Sequence, residues 1–414
     1  MAQGAGPAPA RIWNVPQGLS AGPAPARIPN VPQGLPAGPA PARIPNVPQG
    51  LPAETAPARI SPRPPSVRAD LKAPATMIES QRMPSIAETT VEMIEWVFPE
   101  HAGGPGQIHG GRMMEWITKA GTLAASRVAH GTVVLGAMDD IDFLHPVRVG
   151  QIAILRARVE AVGTSSLEVG VRVFAEDVLT GERRVTLNSH LVFVKVGEDV
   201  RPRAVEAKIR PRDAAESALI EAARARREQR LARLGQRAAR LSETVEADLD
   251  ASDVDVGWRF ESTRSVLPED ALFGNTMFVG KMLMALDEAG GILSMRYCKG
   301  LVMTACVDAM DFYSPIFTHE VVTFKAGLNH VGTSSLEVGV KVLAEVPWTG
   351  EVRHACTAFL TFVHLGPDLR PRPCPPYTPT TAGARRRWEG AVVRRAQRLE
   401  RVKGLKAMLL NEGG

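Results

Sequence analysis

Asp287 is the residue whose placement calls for a chemical reason. It stands seven residues after Gly280, about two helical turns into segment 280–296, which is rich in Met, Leu, Ala and Gly on more than one face. A helix that is apolar nearly all round is a buried helix. A carboxylate there is costly unless it is partnered. Two readings stand: the side chain turns to solvent or a nearby cation, or it is kept as a general base that takes a proton from water. The glycines that open the two helical segments, Gly110-Gly111 and Gly280, invite a companion reading. Free N–H groups at a helix start can receive developing negative charge, although a glycine there also serves simple turn geometry. His109 precedes the first pair and reads as a loop or core residue.

Two other polar groups read as structural. Asp139, Asp140 and Asp142, with Asp308 and Asp311, suggest a metal or a carboxylate pair. Strand spacing puts only alternate residues on one face, and no His stands beside them. Backbone or arginine partners near a module interface are therefore expected. Cys298, Cys306, Cys356 and Cys374 show no CxxC spacing, and are read as free thiols of a reducing compartment, neither disulfides nor a zinc site.

The net charge is only +5, but arginines crowd 201–240 and 385–405. Such runs suit an anionic ligand, nucleic acid or solvated helices, and the solvated reading fits most of them. With six Trp and three Tyr, the chain lacks the interleaved aromatics of a nucleic-acid binder. No run of 18 apolar residues could span a membrane. Nor is there an N-terminal apolar stretch of the secretory kind.

The elements that must position these groups occur twice. Val162-Gly163-Thr164-Ser165-Ser166-Leu167-Glu168-Val169-Gly170-Val171 recurs unchanged 169 residues later, and thirteen of sixteen positions agree across 162–177 and 331–346. The same offset carries Asp139 and Asp142 onto Asp308 and Asp311, and Arg201-Pro202-Arg203 onto Arg370-Pro371-Arg372. It also carries Thr118 onto Asp287, so the copies differ at the one position that matters most. After the modules the register slips by one, and Arg226–Arg233 resembles Arg394–Arg401. Each module reads as a buried helix (111–128, 280–296) followed by four strand-like runs. Leu167, Val169, Val171 and Val173 alternate with polar or small residues at period two. An α+β architecture follows, a sheet wrapped around one helix, made twice. Ahead of it lie three copies of a 16-residue Pro/Ala/Gly unit over 5–52. The expected organisation is a disordered tail 1–76, modules 80–203 and 250–372, a basic helical linker 204–249 and a basic C-terminal helix 373–414. Removing the tail is expected to change neither activity nor stability.

The order Gly110-Gly111-Arg112-Met113-Met114-Glu115-Trp116-Ile117, then 133–143, Pro146-Val147-Arg148-Val149-Gly150-Gln151 and the Gly-Thr-Ser-Ser segment resembles the hot-dog acyl-CoA thioesterases. The tandem-domain cytosolic acyl-CoA hydrolases are the nearest in kind. Leu286-Asp287-Glu288-Ala289-Gly290 is the most diagnostic match. The resemblance covers about 80–203 and 250–372. It implies two hot-dog domains paired as an intramolecular pseudo-dimer with central helices side by side, and active sites built from both. It also implies an acyl-CoA substrate with no cofactor beyond its CoA, no metal, a cytoplasmic location, and further assembly, such as a trimer of tandem chains.

In that frame Asp287 is the expected base, with backbone N–H groups near Gly111 and Gly280 as oxyanion donors. Thr118 cannot act as a base at neutral pH, so one competent site per chain is expected; Glu115, one turn earlier, reads as solvent-facing. The family places an Asn fifteen residues before the Asp. Leu272 stands there in this chain, and Gly103 in the first module. Asn275 and Gln107, in the same loops, are the candidate substitutes. The loops Gly163-Thr164-Ser165 and Gly332-Thr333-Ser334 are candidates for the pantetheine or a water, or else strand connections held by their own hydroxyls. Arg201, Arg203, Arg370 and Arg372, with the basic helices behind them, are candidates for the CoA phosphates. The missing Asn leaves a second reading: a pair that binds acyl-CoA without turning it over.

Overall fold

The computed structural model of the chain describes residues 83–104, 106–254 and 258–412. The repetitive segment 1–76 and its expected disorder lie outside them. The first module comprises β1 (Val91–Trp96), β2 (Ala102–Gly104), β3 (Gln107–Ile108), α1 (Gly110–Ala129), β4 (Val133–Met138), β5 (Ile141–Asp142), β6 (Ile152–Val162), β7 (Ser166–Glu176) and β8 (Arg183–Lys195). A long helix α2 (Ala214–Val254) follows. The second module repeats the order: β9 (Arg259–Ser265), β10 (Ala271–Phe273), β11 (Thr276–Met277), α3 (Val279–Cys298), β12 (Leu301–Val307), β13 (Met310–Asp311), β14 (Val321–Val331), β15 (Ser335–Val346) and β16 (Glu351–Leu365), then α4 (Ala382–Glu412).

Period-two alternation makes the long strands: Leu167, Val169, Val171 and Val173 are fully buried on the face that covers α1. α1 and α3 are apolar on most sides because each is enclosed, by its own sheet on one side and by the other helix on the other. Both end in the left-handed conformation, at His130 and Lys299. The sheet orders are β1-β6-β7-β8-β4-β13 and β9-β14-β15-β16-β12-β5. Each module thus ends its sheet on a two-residue strand lent by the other. Met310 and Asp311 pair with Met138 and Ala137, and Cys306 and Val307 with Asp142 and Ile141. This tandem hot-dog arrangement is the one the resemblance implied.

Most described arginines of the basic segments are exposed, as the solvated reading has it, but one face of each helix departs from it. Arg226, Arg230 and Arg233 of α2 meet Glu160 with Glu168, Asp139 with Glu168, and Asp311. Arg394, Arg398 and Arg401 of α4 meet Glu337, Asp308 with Glu337, and Asp142 with Asp140. The one-residue slip of register turns out to be a repeated docking device. Arg230 and Arg398 are each only 7% exposed, and Glu337 is 1% exposed. Burial works to raise the Glu337 carboxyl, yet Arg394 and Arg398 hold it below its ordinary value. Asp308 goes the other way: burial outweighs Arg398 and pushes it up to about 6. The acidic clusters are thus the receiving ends of the basic helices.

Candidate active site

Packing α1 against α3 sets the N-terminal turn of each helix beside the middle of the other. A Cβ on Gly111 would stand 2.8 Å from the Met284 Cα, so glycine is what permits the approach. The Gly111 N–H then donates to Asp287 Oδ2 at 2.7 Å. From β12, the Thr304 hydroxyl donates to Asp287 Oδ1 at 2.8 Å. Asp287 is 1% exposed, and burial raises its carboxyl above the ordinary value against the pull of His109, Thr304 and Gly111. The carboxylate asked for a partner, and it has one from each module.

His109 is the N-cap of α1. Its Nδ1 accepts from the Gly111 N–H at 3.1 Å and lies 3.4 Å from Asp287 Oδ2. In the neutral ring an accepting Nδ1 leaves the proton on Nε2, and only the ring protonated at both nitrogens draws the Asp287 carboxyl down. The ring also packs over Gly103, where a Cβ would come within 2.4 Å of His109 Cδ2 and 2.9 Å of its Cα. At the position where an Asn was expected, therefore, the backbone is bare and the imidazole covers it. A cavity of about 240 Å³ opens beside these groups, lined among others by Gln107, His109, Gly110, Asp287, Thr304 and Leu369. The Gln107 Oε1 is buried without a hydrogen-bond partner. An orphaned acceptor in a cavity wall can take an N–H or a water.

The other expected residues fall elsewhere. Gly111 spends its N–H on Asp287, so it is no free oxyanion donor; Gly110, whose N–H lies outside the helical ladder, is the one on the cavity wall. Gly280 sits against Thr118 Oγ1 at the pseudo-symmetric position, away from Asp287. Asn275 turns the β10–β11 hairpin and accepts from the Thr318 N–H through its carbonyl; its neighbours Phe273 and Thr276 line the other cavity. Glu115 is neither solvated nor at the cavity: it lies between Arg112 at 2.5 Å and Lys281 at 3.6 Å.

Gly163, Thr164, Ser165, Gly332, Thr333 and Ser334 line neither cavity. The Thr164 and Thr333 carbonyls accept from Val205 and Cys374, and those of Ser165 and Ser334 from Lys195 and His364. These loops anchor the chain that leaves each module. Arg370 follows Leu369 of the cavity wall. Arg201 stands 4.0 Å from Asp199, and Arg203 is forked onto the same carboxylate. Arg226, Arg230, Arg233, Arg394, Arg398 and Arg401 of the basic helices are occupied by carboxylates rather than left for phosphate.

The pseudo-symmetric cavity is smaller, about 70 Å³. Phe278 replaces His109 there, Leu135 replaces Thr304, Leu272 replaces Gly103 and Thr118 replaces Asp287. The Thr118 hydroxyl turns back to the carbonyls of Met114 and Glu115. Sequence reasoning missed Thr304, and it set His109 aside as a loop or core residue. Comparing every polar residue with its copy 169 positions away would have found both.

The thioesterase superfamily profile matches residues 105–182 and 274–347. Acyl-coenzyme A thioesterase 11 of Mus musculus is 30% identical over 343 residues, 79% of this chain and 56% of that protein. The mouse cytosolic acyl coenzyme A thioester hydrolase is 28% identical, over 70% of this chain and 78% of its own length. Protein VdlD of Helicobacter pylori (strain ATCC 700392 / 26695) is 39% identical over 133 residues, 32% of this chain and 76% of VdlD. The chain spans a little over half the length of the longer curated relatives it matches.

Proposed function

The chain belongs to the thioesterase superfamily, and from that premise we propose that it hydrolyses acyl-CoA thioesters at the cavity containing Asp287. The observation that carries this reading is one buried carboxylate held by a backbone N–H of one module and a hydroxyl of the other, at the wall of a cavity. Asp287 takes a proton from the water that attacks the thioester carbonyl. The Gly110 N–H and the His109 Nε2–H stabilise the oxyanion, the latter in place of the missing Asn. Collapse of the tetrahedral intermediate releases CoA, which takes up the proton, and the free acid. Gln107 supplies its orphaned amide oxygen to the substrate or the water. Arg370, beside Leu369, is the candidate for a CoA phosphate. The pseudo-symmetric cavity, with neither base nor imidazole, is silent. The enzyme works in the cytoplasm, like the mouse protein named cytosolic, and assembles as a trimer of tandem chains.

Thiol release from acyl-CoAs of graded chain length tests the proposal. Wild-type hydrolysis is expected, and Asp287→Ala is expected to lose it by two to four orders of magnitude. Turnover that survives Asp287→Ala sinks the assignment. The bare positions at Gly103 and Leu272 favour a second reading, acyl-CoA binding without turnover. It prevails if the wild type binds but hydrolyses no chain length.

A further inference from the structure

Three groups outside the Asp287 cavity converge at the far end of the second module. Cys298 closes α3, His364 lies one residue before the end of β16, and Cys374 belongs to the segment that follows. Their ligand atoms all lie within 4.8 Å of one another. Cys298 is buried, and the other two are partly exposed.

The histidine is arranged for ligation. Its Nδ1 lies 2.9 Å from the Pro373 carbonyl, which can only accept, so Nδ1 carries the proton. Nε2 is left with a bare lone pair, and it faces Gly300, two residues beyond Cys298, where a Cβ would crowd it at 2.8 Å. A ring N–H fixed on a backbone carbonyl is the usual outer support of a metal-binding imidazole.

The thiol that arrives from the tail is also held in place. The Cys374 N–H donates to the Thr333 carbonyl at 2.8 Å, and the Tyr297 hydroxyl reaches the carbonyls of Pro375 and Pro376, both at 3.0 Å. The first module supplies an internal control. Its Val205 N–H makes the matching bond to Thr164, so the backbone is the same. Yet the three positions there are Ala129, Lys195 and Val205. All three ligating side chains are present in one copy, and all three are absent from the other.

We propose that Cys298, His364 and Cys374 form a binding site for a thiophilic divalent cation, zinc in the first instance. Two thiols lose their protons to solvent and bind as thiolates, so Zn2+ and its two sulfurs are together neutral in a half-buried setting. Nε2 of His364 is the third ligand, and the partly exposed side leaves a fourth position for water. Imidazole and thiolate donors select zinc over calcium or magnesium. The metal would staple the end of α3, the end of β16 and the departing tail. Those same elements carry Asp287, Leu365 and Leu369 of the cavity wall. All four cysteines are free thiols in the fold, and the proposal departs from the sequence reading only in giving two of them a metal.

The test uses the untagged full-length chain, reduced, loaded with Zn2+ and dialysed. About one zinc per chain is expected by elemental analysis. Cys374→Ser and His364→Ala are each expected to lose most of it, and Cys356→Ala to keep it. Should a variant fold poorly, Co2+ on the wild type keeps the proposal open to refutation: thiolate-to-cobalt charge-transfer absorption is expected. Wild type that retains no zinc, retention that survives both Cys374→Ser and His364→Ala, or a cobalt spectrum without thiolate bands overturns it. So does a Cys298–Cys374 disulfide found by mass in a chain that takes up no metal. None of these readouts depends on thioester hydrolysis.

Discussion

At the scale of single residues, Asp287 sets activity against stability. The folded chain raises its carboxyl above the ordinary 3.8, so the folded state binds that proton more tightly than the unfolded state. Its contribution to stability is complete below pH 3.8 and is lost as pH rises through the raised value. Asp287→Asn keeps an acceptor for the Gly111 N–H and removes the charge. It is expected to raise the melting temperature at about pH 8, with the gain vanishing near about pH 4, while hydrolysis falls at least about a hundredfold. A melting temperature that drops at neutral pH would refute this account of the site. Catalysis needs the ionised form, so kcat/KM is expected to fall as pH is lowered through the raised pKa, in a limb displaced upward from an ordinary carboxyl. His109→Phe installs the residue that its own copy uses at 278, so the fold should stand. A drop in kcat of about ten- to a hundredfold, read by steady-state kinetics with circular dichroism unchanged, is expected if Nε2–H serves the oxyanion.

Among the elements, the trailing helices are held by buried ion pairs as well as by apolar contacts such as those of Ala223 and Ala391. α4 sets Arg394 and Arg398 around Glu337, and carries Arg401 across to Asp142 of the other module at 2.6 Å. Removing one partner of a buried pair leaves an uncompensated charge, which costs about 3–5 kcal/mol. Arg398→Ala is therefore expected to lower chemical-denaturation stability by about that amount. Arg224→Ala, which loses the exposed pair with Glu221 on α2, is expected to cost under about 1 kcal/mol. Equal small effects would mean that the helices are docked by something else. The repeated motif was visible in sequence as Arg226–Arg233 against Arg394–Arg401. Its partners were not, because Glu168 and Glu337 sit on strands whose outward face looks like ordinary solvated surface until a helix covers it.

At the scale of the whole molecule, duplication has made two cavities of unlike character from one fold. Putting a carboxylate into the smaller one is not expected to create chemistry there. Thr118→Asp would face Phe278 and Leu135, with neither the imidazole nor the hydroxyl that serves Asp287. A lower melting temperature and no added turnover in an Asp287→Ala background are expected; any recovered hydrolysis would show that the carboxylate works without those partners. Assembly is a separate expectation: light scattering should give about three times the chain mass of 44.5 kDa.

The duplicated module, the buried helix, the alternating strands and the asymmetry of Asp287 against Thr118 are all legible in the chain. All of these are local patterns or repeats at a constant spacing. Gln107 and Gly111, both singled out there, lie respectively on the cavity that Asp287 lines and on Asp287 itself. Which loop meets which helix is a matter of packing between distant segments. The crossing of α1 and α3 sets Gly280 against Thr118, away from Asp287, and brings Thr304, seventeen residues beyond Asp287, onto its other oxygen. Docking of α2 and α4 sets six of their arginines against carboxylates, and the end of β16 with the segment after it brings His364 and Cys374 to Cys298 across sequence separations of 66 and 10. Side-chain periodicity reports which face is inside. It carries no information on what stands opposite that face, and a buried charge, an orphaned amide or a pair of thiols takes its meaning from its partner.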